Sequence, residues 1–233
     1  MTSVVFPCLN EAARIVPTLE RTTRFLAPRG SPWEIVVVDD GSSDGTSEIV
    51  RRRFAGDASV RVVRHEANHG KGWAVREGLR ASRGELVLFS DADLATPIEE
   101  LPDFEAKAAE GYDLLVASRV IAGARILTPQ PLKRRLAGLA FRLFVQALGL
   151  SSVRDTQCGF KLMRRATVGP ILEQVETLGF AFDVELLGRS ERAGLRVIEL
   201  PVDWHDAGGS KVRLYPDALR MAGDLLRIRR RLG

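Results

Sequence analysis

Apolar residues in the first half of the chain fall in short unbroken runs, separated by longer stretches of mixed character. Residues 3–6, 34–39, 60–64, 85–90 and 113–117 are dominated by Val, Ile, Leu and Phe, and each predicts a buried strand. Between them, residues 11–26, 43–53, 71–81 and 97–110 have helical patterning, the last with Pro97 in its first turn. Such alternation predicts a mostly parallel sheet with helices on both faces. The second half is less regular. Residues 131–149, 167–175, 182–193 and 216–232 predict helices, and 195–202 a strand. Neither an internal repeat nor a low-complexity linker interrupts the chain, so a single domain is expected. Residues 214–233 would form a basic amphipathic C-terminal helix.

Ligands of parallel sheets bind beyond the carboxyl ends of the strands, and the polar motifs concentrate there. Asp91-Ala92-Asp93 follows the run at 85–90. Two carboxylates two apart on an extended segment would face the same side, a hard-oxygen pair suited to a divalent cation carrying a diphosphate. Asp39-Asp40-Gly41-Ser42 ends another run, with a carboxylate able to accept from a base or ribose and a glycine permitting close approach. Taken alone, this motif is better explained as a capped strand-to-helix turn. Asn68-His69-Gly70-Lys71-Gly72 opens a helix with a cation and two glycines, an arrangement suited to an anion, although P-loop spacing is absent.

Composition narrows the class. The 233 residues are 45% hydrophobic and 27% charged, ordinary for a soluble globular protein. Cys8 and Cys158 have no metal-like spacing and do not suggest a disulfide framework, so a reducing cytoplasm is expected. No signal-peptide pattern and no run of ~18 apolar residues is present, so a spanning helix is not expected. The net charge of +4 conceals an asymmetry. Residues 119–165 carry ten Lys/Arg against one Asp, and 213–233 six Arg against two Asp. Two basic segments point to an anionic partner, or simply to solvated basic faces. Aromatics are 6% and do not interleave with the basic segments, which argues against a nucleic-acid partner.

Taken together, Pro7-Cys8-Leu9-Asn10-Glu11, Asp39-Asp40-Gly41-Ser42, Asn68-x-Gly-Lys-Gly72, Asp91-Ala92-Asp93 and Ser118-Arg119 occur in the order and spacing of family 2 glycosyltransferases. Asp155-Thr-Gln-Cys-Gly-Phe-Lys161, Phe180-Ala-Phe-Asp-Val-Glu185 and Gly209-Ser-Lys211 extend the match over about residues 3–213. The chain resembles the polyprenyl-phosphate branch, similar to dolichyl-phosphate glucosyl- and mannosyltransferases. The resemblance implies a GT-A type α/β fold with a Rossmann-like sheet. Residues 1–118 would form the nucleotide-sugar half and 119–213 the acceptor side.

The resemblance also implies roles. Pro7, Leu9 and Glu11 would line the nucleotide pocket, with Asp40 and Gly41 near the base. Asp91 and Asp93, joined by Ala92, would hold Mg2+ or Mn2+ on the diphosphate. Arg119, Lys71 and Lys211 would meet phosphates, while Asp183 and Glu185 would face the sugar or the reacting centre. Asp93, Asp183 and Arg119 are thus the catalytic candidates. Where mannosyltransferases often place a further metal-binding residue, this chain has Ala95, as glucosyltransferases do, which favours glucose over mannose. His205 is a candidate for the missing ligand. The implied reaction is inverting transfer of a hexose from a nucleotide-diphosphate sugar to dolichyl or undecaprenyl phosphate. The enzyme would be peripheral on the cytoplasmic membrane face through its basic amphipathic segments. Two alternatives remain open: a soluble family 2 transferase with a hydroxyl acceptor, and a non-catalytic nucleotide-sugar-binding module.

Overall fold

The computed structural model describes residues 1–208 and 214–233, with side chains in the last helix described from 219 onward. Four parallel strands form the first part of the sheet: β1 (Thr2–Cys8), β2 (Trp33–Asp40), β3 (Val60–His65) and β4 (Leu86–Ser90). Between them run α1 (Ile15–Leu26), α2 (Thr46–Arg53) and α3 (Lys71–Ala81). A 3-10 turn, Ile98–Glu100, leads into α4 (Leu101–Ala109) and β5 (Leu114–Ser118). The remaining elements are β6 (Arg125–Thr128), α5 (Leu132–Ala147), β7 (Phe160–Arg164), α6 (Arg165–Glu173), α7 (Phe182–Arg192), β8 (Val197–Pro201), β9 (Asp203–His205) and α8 (Leu214–Leu232).

The main sheet has the order β3-β2-β1-β4-β7-β5-β8, and β6 pairs with β9 separately. The alternating β/α reading of the first half therefore holds, with helices starting a few residues later than the apolar pattern suggested. One strand escaped the sequence. β7 inserts between β4 and β5 and runs antiparallel to both. Phe-Lys-Leu-Met-Arg has no β-branched residue and a lysine near its centre, so neither propensity nor pattern marks it as a central strand. The small β6–β9 pair, of four and three residues, is too short to leave a periodic signal.

Strand alternation divides the core into two layers. Val4, Phe6, Leu88, Phe160 and Leu162 face α1 and α4 together with Ile15, Leu19 and Phe104. Val5, Val87, Phe89 and Met163 face the other way, against Ala74, Val75, Val168, Phe182 and Leu186 of α3, α6 and α7. Phe160 and Met163 lie on opposite faces, and Lys161 sits beside Phe89 on the α3–α7 side. A third, smaller cluster joins Val145 of α5, Val184 of α7 and Leu225 and Ile228 of α8. The C-terminal helix therefore packs back on the domain along one face.

Because β7 is antiparallel, its start and not its end meets the carboxyl ends of its neighbours: Ser90 is registered with Phe160. The lead-in at 155–159 is thereby delivered to the same edge as the ends of β1, β2, β4 and β5.

Candidate active site

Beyond β4 the chain turns at once. Asp91 N–H donates to Gly159 O at 2.9 Å and Leu94 N–H to Asp91 O at 3.1 Å, so Asp91–Leu94 is a turn and not an extended segment. This corrects the expectation that strand alternation aligns the two carboxylates. A reverse turn brings them together instead, and Leu94 takes a left-handed φ of 47°, a strained conformation for a leucine. Its burial in the α1–α4 core layer holds it there. Asp93 Oδ1 accepts from Ala95 N–H at 3.0 Å, an Asx-type contact that fixes the second carboxylate. Ala92 is buried with its carbonyl accepting from Thr18 Oγ1 at 2.6 Å, so it spaces the acids and anchors the turn to α1.

Three cations compensate the acids of this region. Lys71, at the start of α3, places Nζ 2.7 Å from Asp91 Oδ1. Lys161 Nζ lies 2.5 Å from Asp183 Oδ1 and donates to Cys158 O at 2.7 Å. Both ammonium groups lie over the Phe89 ring, at 5.1 and 5.6 Å from its centroid. Arg119 is held by Asp155 through two guanidinium hydrogen bonds of 2.7 Å and one from its own backbone N–H at 2.8 Å, and it stacks on Trp204 at 5.4 Å. Asp155, Gly159 and Lys161 belong to a block the sequence singled out without roles. Their signal was a glycine directly before a charged, short apolar run.

The electrostatics follow from this packing. Burial, and then the neighbouring Asp91 charge, push the Asp93 carboxyl above its ordinary range. Burial likewise raises Asp183, only partly opposed by Lys161 and Lys71. Burial would lower the Lys71 ammonium, but Asp91, Asp183 and Asp93 outweigh it and leave Lys71 raised. For Asp155 burial is overcome by Arg119, and the carboxyl stays below its usual range.

Other predicted residues have different surroundings. Asp40 accepts from the backbone N–H groups of His69 at 3.0 Å and Gly70 at 2.8 Å, clamping the loop before α3 against β2. Gly41 at φ 80° allows that loop to approach, since a Cβ there would lie 2.7 Å from Ala67 C. Pro7 lies past the end of the β1–β4 ladder, where its missing N–H is harmless. Leu9 follows it, half-buried, and Glu11 pairs with Arg14 at 2.9 Å.

Glu185 is not brought to the site. On helix α7 residues two apart point in nearly opposite directions, and Glu185 turns away from Asp183 into a buried network with Thr177 N–H at 2.9 Å, Arg189 at 2.8 Å and Arg231 at 3.2 Å. His205 lies near the acidic turn through its backbone, donating to Ala95 O at 2.8 Å. Its ring does not join the carboxylates: among the described residues no group of three or more His, Cys, Asp or Glu could hold a metal. Lys211 lies outside the described residues.

Two oxygen-donor carboxylates, one pushed toward protonation by burial and then by the other, fit a hard divalent cation that would draw its remaining ligands from diphosphate and water. Asp91 and Asp93 would hold it.

The comparisons agree with this geometry. The chain matches Glycosyl transferase family 2 over residues 3–170 and belongs to that family. It is a glycosyltransferase with a GT-A type fold. It is 38% identical to a dolichyl-phosphate beta-glucosyltransferase of Saccharomyces cerevisiae, covering 97% of this chain and 73% of that protein. It is 37% identical to dolichyl-phosphate beta-glucosyltransferase ALG5C of Trichomonas vaginalis, over 97% of this chain and 70% of that protein. Among solved structures, glucosyl-3-phosphoglycerate synthase from Mycobacterium tuberculosis in complex with Mn2+ and uridine-diphosphate-glucose superimposes with a TM-score of 0.70. It is 22% identical and covers 98% of this chain and 77% of that one, a likeness of fold.

Two outcomes are expected. A Cβ at Gly159 would overlap the Asp91 carboxylate. Gly159→Ala should therefore weaken Mn2+ binding, measured by calorimetry, by about 10–100-fold while far-UV circular dichroism is unchanged. Asp93, with its folded pKa raised, binds its proton more tightly folded than unfolded, so its contribution to stability declines as pH rises above the unfolded carboxylate pKa. Asp93→Asn should melt above the wild type at neutral pH in chelator, and the difference should shrink as the solution is acidified below that range.

Proposed function

We propose that this chain transfers glucose, with inversion, from a nucleoside-diphosphate glucose to a polyprenyl phosphate such as dolichyl phosphate. The observation that carries the reading is the Asp91–Asp93 turn at the edge of the sheet, paired with Lys71 and within reach of the Arg119 charge, in a chain whose relatives are named dolichyl-phosphate beta-glucosyltransferases. In this reading residues 1–118 supply the donor half and 119–213 the acceptor side.

Mg2+ or Mn2+, when bound, neutralises charge on the departing diphosphate. The chain's own residues do the rest. Asp91 and Asp93 would hold that cation, and Lys71 and Arg119 add positive charge where negative charge accumulates. The acceptor phosphate oxygen forms a bond to the anomeric carbon as the bond to the donor phosphate breaks. The electron pair leaves with the nucleoside diphosphate. A phosphate monoester has a second pKa near ~6 and is largely ionised at neutral pH, so no side chain has to remove a proton. Asp183 is accordingly assigned to orienting donor and acceptor.

A membrane-bound acceptor needs an apolar, cationic approach. On α5 Leu132, Leu136 and Leu143 are 66%, 57% and 54% exposed, next to Lys133, Arg134 and Arg135. Ile126 and Leu127 of β6 are exposed as well. These exposed leucines beside cations support a peripheral contact, and no helix among the described residues is long and apolar enough to cross a membrane. On α8 Leu225 and Ile228 are committed to the core while Leu219 and Leu226 remain exposed, which makes α5 the principal contact.

The reading is tested with UDP-glucose and dolichyl phosphate in detergent. Glucolipid should form, cease in chelator, and fall about 10²–10³-fold with Asp93→Ala. Absence of product with any nucleotide-sugar donor would overturn it. Separately, the protein should co-sediment with anionic liposomes at low salt. The Leu136→Glu/Leu143→Glu variant should remain in the supernatant, and rising salt should weaken binding of the wild type.

A further inference from the structure

Lys161 is fully buried in the middle of the sheet, paired in register with Phe89 on one side and Val116 on the other. A lysine taken out of water costs several kcal/mol unless its charge is matched. Its match is Asp183 at 2.5 Å, supported by the Cys158 carbonyl at 2.7 Å and the face of Phe89. With no exposed surface, Lys161 touches nothing that enters the site. Its route to the reaction runs through Asp183.

Asp183 is in turn 2% exposed, and its Oδ1 has no hydrogen bond of proper geometry, so the ion pair is what compensates its charge. The charged groups facing it come from three elements: Lys161 from β7, Lys71 from α3, and Asp91 from the turn after β4. Close packing of α3 on α7 brings Lys71 there. Phe182 lies over Gly72, where a Cβ would come within 2.5 Å of Phe182 Cβ, and Gly72 N–H donates to Leu178 O at 2.8 Å. Charges thus alternate in a line, Lys161–Asp183–Lys71–Asp91, that starts in the core and ends at the acidic turn.

We propose that Lys161 is a positioning residue for glycosyl transfer: a buried counter-charge that fixes the Asp183 carboxylate and, through it, the balance of Lys71 between Asp183 and Asp91. The proposal rests on the assignment of Asp183 to the reacting centre. Among the described residues, removing Lys161 leaves Asp183 with Lys71 as its remaining cation, which would draw Lys71 from Asp91 and displace both from the donor.

The test is a double-mutant cycle on the purified chain, with UDP-glucose and dolichyl phosphate in detergent and melting temperatures recorded in parallel. Asp183→Asn should lower kcat by about 10²-fold or more, and Lys161→Met by a comparable factor with donor KM changed far less. The Lys161→Met/Asp183→Asn variant should be no slower than Asp183→Asn alone, because both changes act through one group. Its melting temperature should recover toward that of the wild type, since removing a whole buried ion pair costs less than stranding one partner. Losses that multiply in the double variant, or a folded Lys161→Met with wild-type kcat, would overturn the proposal. If Lys161→Met does not fold, the comparison of the double variant with Asp183→Asn decides alone. A fully active Asp183→Asn would instead remove the reading of Asp183, and this inference with it.

Discussion

Like-charge repulsion at the edge of the sheet is the constraint around which this molecule is arranged. Asp93 is buried and stands close to the charge of Asp91, and both effects disfavour its ionisation. Holding such a pair requires covalent constraint and compensating charge. The constraint is a tight turn with a left-handed leucine, pinned by Thr18, Ala95 and the Gly159 carbonyl. The compensation is Lys71, whose ammonium is stabilised by three carboxylates despite its burial. Folding around this turn costs stability that the apolar layers on either side must offset. Residual negative charge is also what prepares the turn for a cation, so the feature that weakens the fold is the one that gives the site its chemistry.

The antiparallel strand β7 makes the arrangement possible. In an all-parallel sheet only strand ends and the loops that follow them reach the ligand edge. Reversing one central strand adds the residues before it. Asp155, which holds Arg119, and Gly159, which makes room for Asp91, reach the site by this route. The same reversal sets the alternation so that Phe160 fills one core layer while Lys161 enters the other, opposite Asp183.

Much of this was legible in the sequence. Val- and Ile-rich runs marked the parallel strands, and polar motifs at their ends marked the edge that carries chemistry. Lys71, Asp91, Asp93, Arg119 and Asp183 do converge there. Other features were hidden for physical reasons. β7 carries no strand propensity because its stability comes from burial on both faces and from pairing across a large sequence separation. The roles of Gly159 and Lys161 depend on partners 68 residues away or 22 residues ahead, which no local pattern encodes. Glu185 misled because Asp183 and Glu185 were read as a pair, whereas on a helix two residues apart means opposite faces. Asp40, read as an acid near the base, accepts from the backbone amides of His69 and Gly70, partners 29 and 30 residues ahead that no local turn motif encodes.

That divergence of Asp183 and Glu185 gives α7 two functions in one turn. Toward the sheet it presents Asp183 to the line of charges. Toward the outside it presents Glu185 to Arg189 and Arg231, and Ala181 and Val184 to the apolar cluster shared with α5 and α8. The helix that carries Asp183 is therefore also the seat of the two helices bearing most of the exposed leucines. Because buried packing is close and transmits displacement, a shift of α5 or α8 cannot leave Asp183 untouched. On the proposed reading, a soluble donor and a membrane-held acceptor have to be brought to one carbon. In this fold the acidic turn and the apolar surface are joined through a single, fully packed helix.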